Sequence, residues 1–246
     1  MLSLTRLLLL TSAPTGLAMT TTTSKTIVNH LLHRTALKQS FFGLRHGQSL
    51  ANVDKIISSD PKVSTVKHGL SELGKEQARK AGESFVGGIE GGAGTTSCQG
   101  VAIFSSDFTR ARETAAIFAE ELSKSSVPIY KGEVIIEERL RERYFGQLNG
   151  GPDCRYQEVW DIDAKDPNHN QFSAESANSV LERTTRLVTD LDDELADSGP
   201  WRCILVAHGD VLQIMQTGFL KHEEASRHRS LEHLETATLR KLTLAN

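Results

Sequence analysis

Short apolar runs alternate along the chain with amphipathic stretches of helical length. The runs predict strands and the stretches, with apolar residues three or four positions apart, predict helices. Alternation over some 200 residues favours an α/β fold with a mostly parallel sheet. The predicted strands are residues 40–44, 101–105, 134–136, 203–206 and 236–244, and the predicted helices are residues 71–86, 108–122, 177–195 and 210–219.

Two stretches do not follow this alternation. Residues 87–94 contain five glycines and predict a flexible surface loop, because the Gly-Lys-Ser/Thr ending of a nucleotide-binding loop is absent. Residues 1–37 contain no Asp or Glu and are rich in Thr and Ser, which is typical of a transit peptide for a plastid or mitochondrion. A secretory signal and a disordered extension of a cytoplasmic protein are the alternatives. The folded domain is predicted at residues 38–246.

Composition excludes several classes of protein. The 246 residues carry 28 Lys and Arg against 31 Asp and Glu, a net charge of −3, so no nucleic-acid partner is expected. No apolar run approaches the roughly 20 residues of a membrane span, so no membrane partner is expected either. Three scattered cysteines form neither a disulfide framework nor a zinc motif.

The same dipeptide ends two predicted strands. His46-Gly47 follows Arg45, and His208-Gly209 follows a later strand. Ligands of open α/β sheets bind beyond the carboxyl ends of the strands, and a glycine there allows close approach of the backbone. The sequence therefore predicts that both histidines face one site.

Arginines are predicted at the same edge of the sheet. Arg45 adjoins His46, and Arg110 lies at the start of a predicted helix, whereas Arg112 is expected on the surface. Two arginines and two histidines would bind a dianionic phosphoryl group without a metal or cofactor. Either histidine could then act as nucleophile. A proton donor is also required, and the candidates are Glu137, Glu138 and Glu142.

Five blocks in this order resemble the histidine phosphatase superfamily, in the branch that contains the cofactor-dependent phosphoglycerate mutases. The first is Arg-His-Gly-Gln-Ser-Leu-Ala-Asn, and the blocks are residues 45–52, 70–78, 105–115, 140–146 and 206–210. The overall pattern is similar to uncharacterised plant and algal mutase-like proteins. The resemblance implies a three-layer α/β/α sandwich, phosphoglycerate mutase-like.

The resemblance also implies roles for individual residues. His46 is the expected nucleophile that becomes phosphohistidine, and Glu142 is the expected acid that protonates the leaving group and later activates water. The expected phosphate-binding groups are those of Arg45, Asn52, Arg110, His208 and Gly209. Homodimers occur in the family, so a homodimer is one candidate assembly.

Departures from the mutases favour hydrolysis. Gln48 stands where the mutases carry Glu, and residues 147–174 are too short for their insertion and hold one arginine, Arg155, instead of a pair. A mutase must protect a bisphosphorylated intermediate from water, which requires extra cations and a closed site. The sequence thus predicts a metal-independent phosphomonoesterase acting on a small phosphorylated substrate. A phosphoglycerate mutase and a non-catalytic phospholigand- or protein-binding module are the alternatives.

Two loops are candidates for substrate selection. Residues 53–70 carry lysines and His68, which could bind a second anionic group or be ordinary solvated side chains. Residues 150–173 carry Tyr156 and Trp160, whose spacing favours a hydrophobic cover for the sheet edge over a stacking platform for a ligand. The substrate itself is not predicted.

Overall fold

The computed structural model describes residues 28–90 and 98–246. Its five-stranded sheet has the order β3-β2-β4-β1-β5, and only the pairing of β5 with β1 is antiparallel. The strands are β1 (Ser40–Arg45), β2 (Gly100–Ser105), β3 (Ile129–Ile136), β4 (Trp201–Ala207) and β5 (Leu239–Leu242). The helices are α1 (Leu50–Val53), α2 (Pro61–Ser64), α3 (Glu72–Glu90), α4 (Thr109–Lys124), α5 (Tyr156–Asp163), α6 (Ala177–Glu194) and α7 (Gly209–Phe219).

Helices cover both faces of the sheet, which confirms the predicted three-layer α/β/α arrangement. Successive side chains of a strand point to opposite faces. Phe104 accordingly packs in one apolar core with residues of α6 and α7, whereas Ile103 packs in a second core with residues of α3 and α4. All six residues of β2 are buried, as expected for a central strand covered on both sides.

The packed part of the domain begins earlier than the predicted residue 38. Leu31 is fully buried in the core beside α6 and α7. The Asn29 amide donates to the carbonyl oxygens of Gly218 at 3.2 Å and His222 at 2.8 Å. Through these contacts, the segment of residues 28–37 packs against the end of α7. The transit peptide was predicted at residues 1–37, of which residues 1–27 lie outside the described residues.

The glycine-rich stretch also differs from its prediction. Helix α3 continues through Gly87 and Gly88 to Glu90. Each glycine costs a helix about 1 kcal/mol relative to alanine, which a helix already packed through Phe85 and Val86 can absorb. Residues 91–94 of the predicted loop lie outside the described residues. No helix in the described ranges is long and apolar enough to cross a bilayer.

Candidate active site

The carboxyl ends of β1 and β4 bring the two histidines together. These strands are parallel neighbours, and the amide of His46 donates to the carbonyl oxygen of Ala207 at 3.0 Å. His208 follows β4 directly and caps the start of α7. The two imidazole ring centroids lie 5.1 Å apart. The predicted convergence of the strand-end histidines is therefore present in the structure.

Hydrogen bonds fix one tautomer of His46. Its Nδ1 lies 2.7 Å from the carbonyl oxygen of Gly47, which can only accept, so Nδ1 carries the proton. The Nε–H of Arg110 donates to Nε2 of His46 at 3.2 Å. Burial, and then the charges of Arg110 and Arg45, lower the pKa of His46 well below its usual value. His46 is thus a neutral imidazole whose Nε2 lone pair lies beside a guanidinium.

Arg110 is held in place by contacts other than an acidic partner. It is buried, donates to the carbonyl oxygen of Ser58 at 2.9 Å and lies 5.1 Å from the ring centroid of Phe108. No carboxylate of the described residues forms an ion pair with it. Its positive charge is therefore available to an anion.

Arg45 has a similar arrangement on the other side of His46. Its guanidinium donates to the carbonyl oxygen of Leu234 at 2.8 Å and to Nε2 of His233 at 2.7 Å. A side chain at Gly209 would come within 3.2 Å of Arg45 Nε and 2.9 Å of His233 Cε1. A larger residue after the second histidine would thus crowd the side chains of Arg45 and His233. No ion pair with a carboxylate of the described ranges neutralises Arg45.

Asn52 contributes an oriented amide. Its Oδ1 accepts hydrogen bonds from the backbone N–H and the hydroxyl of Ser49, at 3.0 and 2.9 Å, in the capping box of α1. With Oδ1 occupied, the amide nitrogen is the group left to donate to a ligand.

Of the three candidate acids, Glu142 is the one that lines the cavity. Glu137 is paired with Arg139 at 2.8 Å, and Glu138 with Arg141 at 2.9 Å. Burial, followed by the negative charge of Asp210, raises the pKa of Glu142 to about 7, against the opposing charges of Arg110 and Arg45. A carboxyl group with this pKa can both give and accept a proton near neutral pH.

A cavity of about 300 Å³ joins these groups. Among the predicted site residues, its wall is formed by Arg45, His46, Asn52, Arg110, Glu142 and Gly209. His208 is the exception, because its buried ring adjoins His46 but does not line the cavity. Its Nε2 lies 3.0 Å from the Ser106 hydroxyl, and its Nδ1 has no partner among the described residues.

Both candidate specificity loops contact the cavity, residues 53–70 through Ile56 and Ser58, and residues 150–173 through Asp153, Tyr156 and Trp160. The lysines of residues 53–70 do not line it, and His68 contacts it only through the Ser58 hydroxyl, at 2.8 Å. Tyr156 and Trp160 line the cavity instead of covering the sheet edge, so that prediction was wrong. The segment from Phe145 to Phe172 forms an apolar cluster of its own, which places α5 over the site. Arg112 is on the surface, as predicted, and donates to the carbonyl oxygen of Thr65.

Sequence reasoning missed several polar residues of the wall, namely Ser49, Ser58, Asp153, Asp210 and His233. Asp210 had a local signal, because it stands two positions after His208. His233 had none, since its place depends on the packing of the chain after α7. Among the described residues, no group of three or more His, Cys, Asp or Glu side chains has the arrangement of a metal site.

A buried ion cluster supports the wall that carries Glu142. Arg143 is fully buried and binds both carboxylate oxygens of Asp163, at 2.6 and 2.8 Å. His169 bonds the same carboxylate at 2.9 Å. Asp210 lies 3.5 Å from both Arg143 and His228. Burial opposes ionisation of Asp210, but His228 and Arg143 outweigh it and hold its pKa at about 2. Asp210 is therefore a permanent negative charge in the cavity wall.

The fold and the site together define a class of α/β proteins in which paired histidines follow neighbouring parallel strands. The chain belongs to the histidine phosphatase superfamily (branch 1), whose family model matches residues 42–246. The resemblance predicted from the five sequence blocks is confirmed.

Curated relatives include two 2,3-bisphosphoglycerate-dependent phosphoglycerate mutases. The one from Methylorubrum populi is 34% identical over 108 residues, which is 43% of this chain and 42% of the relative. The one from Parvibaculum lavamentivorans is 32% identical over 112 residues, 44% of this chain and 42% of the relative. The match thus spans less than half of each mutase.

Solved structures of phosphatases share the fold. A mycobacterial glucosyl-3-phosphoglycerate phosphatase, solved with VO3, is 24% identical with a TM-score of 0.62, over 82% of this chain and 89% of that one. A phosphoserine phosphatase from Entamoeba histolytica is 19% identical with a TM-score of 0.60, over 82% and 88%. At these identities the likeness establishes the architecture alone.

Proposed function

We propose that this protein is a phosphomonoesterase that transfers the phosphoryl group of its substrate to His46 and then to water. The observation that carries the proposal is the unprotonated Nε2 of His46, which lies 3.2 Å from the guanidinium of an arginine without an acidic partner. The phosphatases among the structural neighbours agree with this assignment.

In the first step, Nε2 of His46 forms a bond to phosphorus while the bond to the leaving oxygen breaks. Glu142, in its protonated form, gives that oxygen its proton, so an alcohol departs and not an alkoxide. The hydrogen bond from Nδ1 to Gly47 stabilises the positive charge that develops on the imidazole. Arg45, Arg110 and the Asn52 amide bind the phosphoryl oxygens, with the N–H of Gly209 as a further donor. His208 adjoins His46 without lining the cavity.

In the second step, the Glu142 carboxylate takes a proton from water, whose oxygen attacks phosphorus as the P–N bond breaks. Inorganic phosphate leaves, and His46 and Glu142 return to their starting forms. Two arginines supply the positive charge that a divalent cation would otherwise bring, so the proposed reaction proceeds without metal.

Phosphoglycerate mutase activity is the second candidate, favoured by the two mutase relatives. Hydrolysis is better supported, because the single arginine of residues 147–174 does not line the cavity. Arg155 is paired at 2.7 Å with Glu158, outside the cavity wall. Interconversion of 3- and 2-phosphoglycerate with the bisphosphate primer, faster than phosphate release, would favour the mutase instead.

The test is phosphate release from a panel of esters in EDTA, measured for the wild type, His46→Ala and His33→Ala. The panel contains p-nitrophenyl phosphate, phosphoglycerates, and sugar mono- and bisphosphates. We expect His46→Ala to lose at least about a thousandfold in kcat, since the nucleophile is removed. His33 is exposed and does not line the described cavity, so its variant controls for the general effect of replacing a histidine with alanine. Unchanged turnover of His46→Ala, or activity that EDTA abolishes, would refute the proposal.

A further inference from the structure

Arg229 lies beside the cavity without belonging to the phosphate-binding group. It sits in the short 3-10 turn His228–Ser230 that follows α7. Its guanidinium carbon lies 3.7 Å from the ring centroid of Trp160, a residue of the cavity wall. A guanidinium at this distance is stacked on the indole, which both attracts it and orients its plane.

A second contact fixes the direction of the guanidinium. One of its terminal nitrogens donates to Oε1 of Gln213, a side chain that is 1% exposed. The amide nitrogen of Gln213 donates in turn to the carbonyl oxygen of Leu231 at 2.6 Å, which sets the orientation of the amide. Arg229 is thus anchored from one side by a buried glutamine and along one face by Trp160.

No carboxylate of the described residues forms an ion pair with Arg229. Arg240, in contrast, pairs with Glu232 at 3.0 Å. Burial lowers the pKa of Arg229, and the more distant charge of Asp210 offsets that effect only in part. Arg229 is exposed, and its guanidinium is held in place without a contacting counter-ion, so it can donate charged hydrogen bonds to an anionic ligand.

The charge of Arg229 acts on the cavity. The pKa of His233 is lowered mainly by burial, then by the charge of Arg45 and then by that of Arg229. Arg229 also contributes to the low pKa of Asp210. Both residues line the cavity, as does the stacked Trp160. Arg229 itself does not line the cavity, but it is stacked on Trp160, which does, and so lies next to the space that holds His46.

We propose that Arg229, stacked on Trp160, is a second anion-binding subsite, so that the preferred substrate is a small phosphomonoester carrying a second negatively charged group. The inference rests on the proposed function, because the first anionic group is the phosphoryl group held at His46. Charged hydrogen bonds from the free edge of the guanidinium would bind a carboxylate or a second phosphate. A cavity of about 300 Å³ is near the small end of ligand sites, which suits a short-chain or single-ring ester.

The carboxylates of the wall do not cancel this subsite. The charge of Asp210 is offset in part by the guanidinium of Arg143 at 3.5 Å. Asp153 lines the cavity without an arginine contact and would repel an anion placed beside it. The lysines at 55, 62 and 67 do not line the cavity, and none of them is stacked on an aromatic residue of its wall as Arg229 is on Trp160.

The test compares two esters that differ in one charged group. These are 3-phosphoglycerate, with a carboxylate, and glycerol 3-phosphate, with a hydroxymethyl group in its place; a sugar bisphosphate and its monophosphate form a second pair. We measure the ratio of kcat/KM within each pair for the wild type, Arg229→Gln, Arg229→Lys and Arg227→Gln. Arg227 is an exposed arginine two positions away, outside the cavity wall, and is the matched control.

We expect the wild type to prefer the ester with the second anionic group and Arg229→Gln to lose at least about tenfold of that preference, mainly through KM. Arg229→Lys should retain part of it, and Arg227→Gln all of it. A loss in the carboxylate pair alone identifies the second group as a carboxylate, and a loss in the bisphosphate pair alone as a phosphate. An unchanged ratio in Arg229→Gln overturns the inference.

A binding measurement separates this inference from the proposed function. In His46→Ala, which cannot turn over by the proposed route, 3-phosphoglycerate should raise Tm more than glycerol 3-phosphate does. Adding Arg229→Gln should remove the difference. If no ester is hydrolysed but this difference appears and depends on Arg229, the subsite stands and the phosphatase proposal falls. Equal Tm shifts for both esters would overturn the subsite whether or not the protein is a phosphatase.

Discussion

The proton affinity of Glu142 depends on the charge of Asp210, and Asp210→Asn tests that dependence. Burial and Asp210 together place the pKa of Glu142 at about 7. The variant keeps the size of the side chain and an acceptor oxygen for Arg143 and His228, but it removes the charge. The pKa of Glu142 should fall, because a negative neighbour no longer disfavours its ionised form.

The size of the effect follows from Coulomb's law. Two unit charges about 4 Å apart interact by roughly 1 kcal/mol in water and roughly 4 kcal/mol at an effective dielectric constant of 20. Glu142 borders an open cavity and Asp210 is partly neutralised, so the lower part of that range applies. Loss of about 1.4 kcal/mol of this repulsion lowers the pKa of Glu142 by one unit. The protonated fraction of Glu142 at pH 7 should then fall from about one half to about one tenth.

The assay is the pH profile of kcat/KM on an unactivated alkyl phosphate, where the leaving oxygen needs a proton. In the wild type, kcat/KM should decline above about pH 7, as the acid form of Glu142 is lost. In Asp210→Asn the decline should begin about one pH unit lower, with a roughly fivefold loss at pH 7 and little loss at pH 5.5. With p-nitrophenyl phosphate, whose leaving group departs as a stable anion, the decline should be weaker in both proteins.

Asp153→Asn is the matched control, because it removes a carboxylate from the same wall that does not contribute to the pKa of Glu142. Titration of the substrate phosphate is common to all three proteins and cancels in the comparison. A profile of Asp210→Asn that coincides with the wild type, or that moves to higher pH, would refute the reasoning. So would an equal displacement in Asp153→Asn.

Two further variants test the supports of the site. Asp163→Ala leaves the buried Arg143 without its paired carboxylate, which should lower the free energy of unfolding by about 3–5 kcal/mol and Tm by roughly 6–20 °C. Glu158→Ala, at an exposed ion pair, should lower it by under about 1 kcal/mol. Comparable Tm values for the two variants would contradict the role of the buried cluster. Gly209→Ala places a methyl group 2.9 Å from His233 and 3.2 Å from Arg45. We expect kcat/KM to fall more than about tenfold while the circular dichroism spectrum stays unchanged. A kcat/KM equal to that of the wild type would show that the Arg45 side chain can shift without loss of activity.

The parts of the site that the sequence could predict are those encoded locally. A histidine and a glycine directly after an apolar run mark a strand end, and parallel strands bring such ends to one edge of the sheet. His46, His208 and Arg45 were therefore placed without knowledge of the strand order. The choice of Glu142 over its two acidic neighbours came from the family resemblance. The structure agrees with it, because Glu137 and Glu138 are paired with arginines.

Other features depend on contacts between distant segments, and the sequence did not reveal them. The spacing of Tyr156 and Trp160 correctly made them neighbours, with rings stacked 5.4 Å apart, but it could not show which surface the pair covers. That surface is set by the apolar cluster around Phe145, which folds the segment back over the cavity. The raised pKa of Glu142 likewise depends on Asp210, which lies in the first turn of α7, after β4.

Substrate selection illustrates the same division. Lysines in the loop after α1 were candidates for binding a second anion because they lie near the phosphate motif in sequence. The structure instead brings Arg229 beside the cavity through its stacking on Trp160 at 3.7 Å, a contact that joins the turn after α7 to α5. The proposed phosphoryl chemistry thus depends on short motifs at strand ends, whereas the proposed second subsite depends on residues brought together by tertiary packing. Among proteins that share these motifs, substrate class should accordingly vary with what packs on α5 and not with the residues around His46.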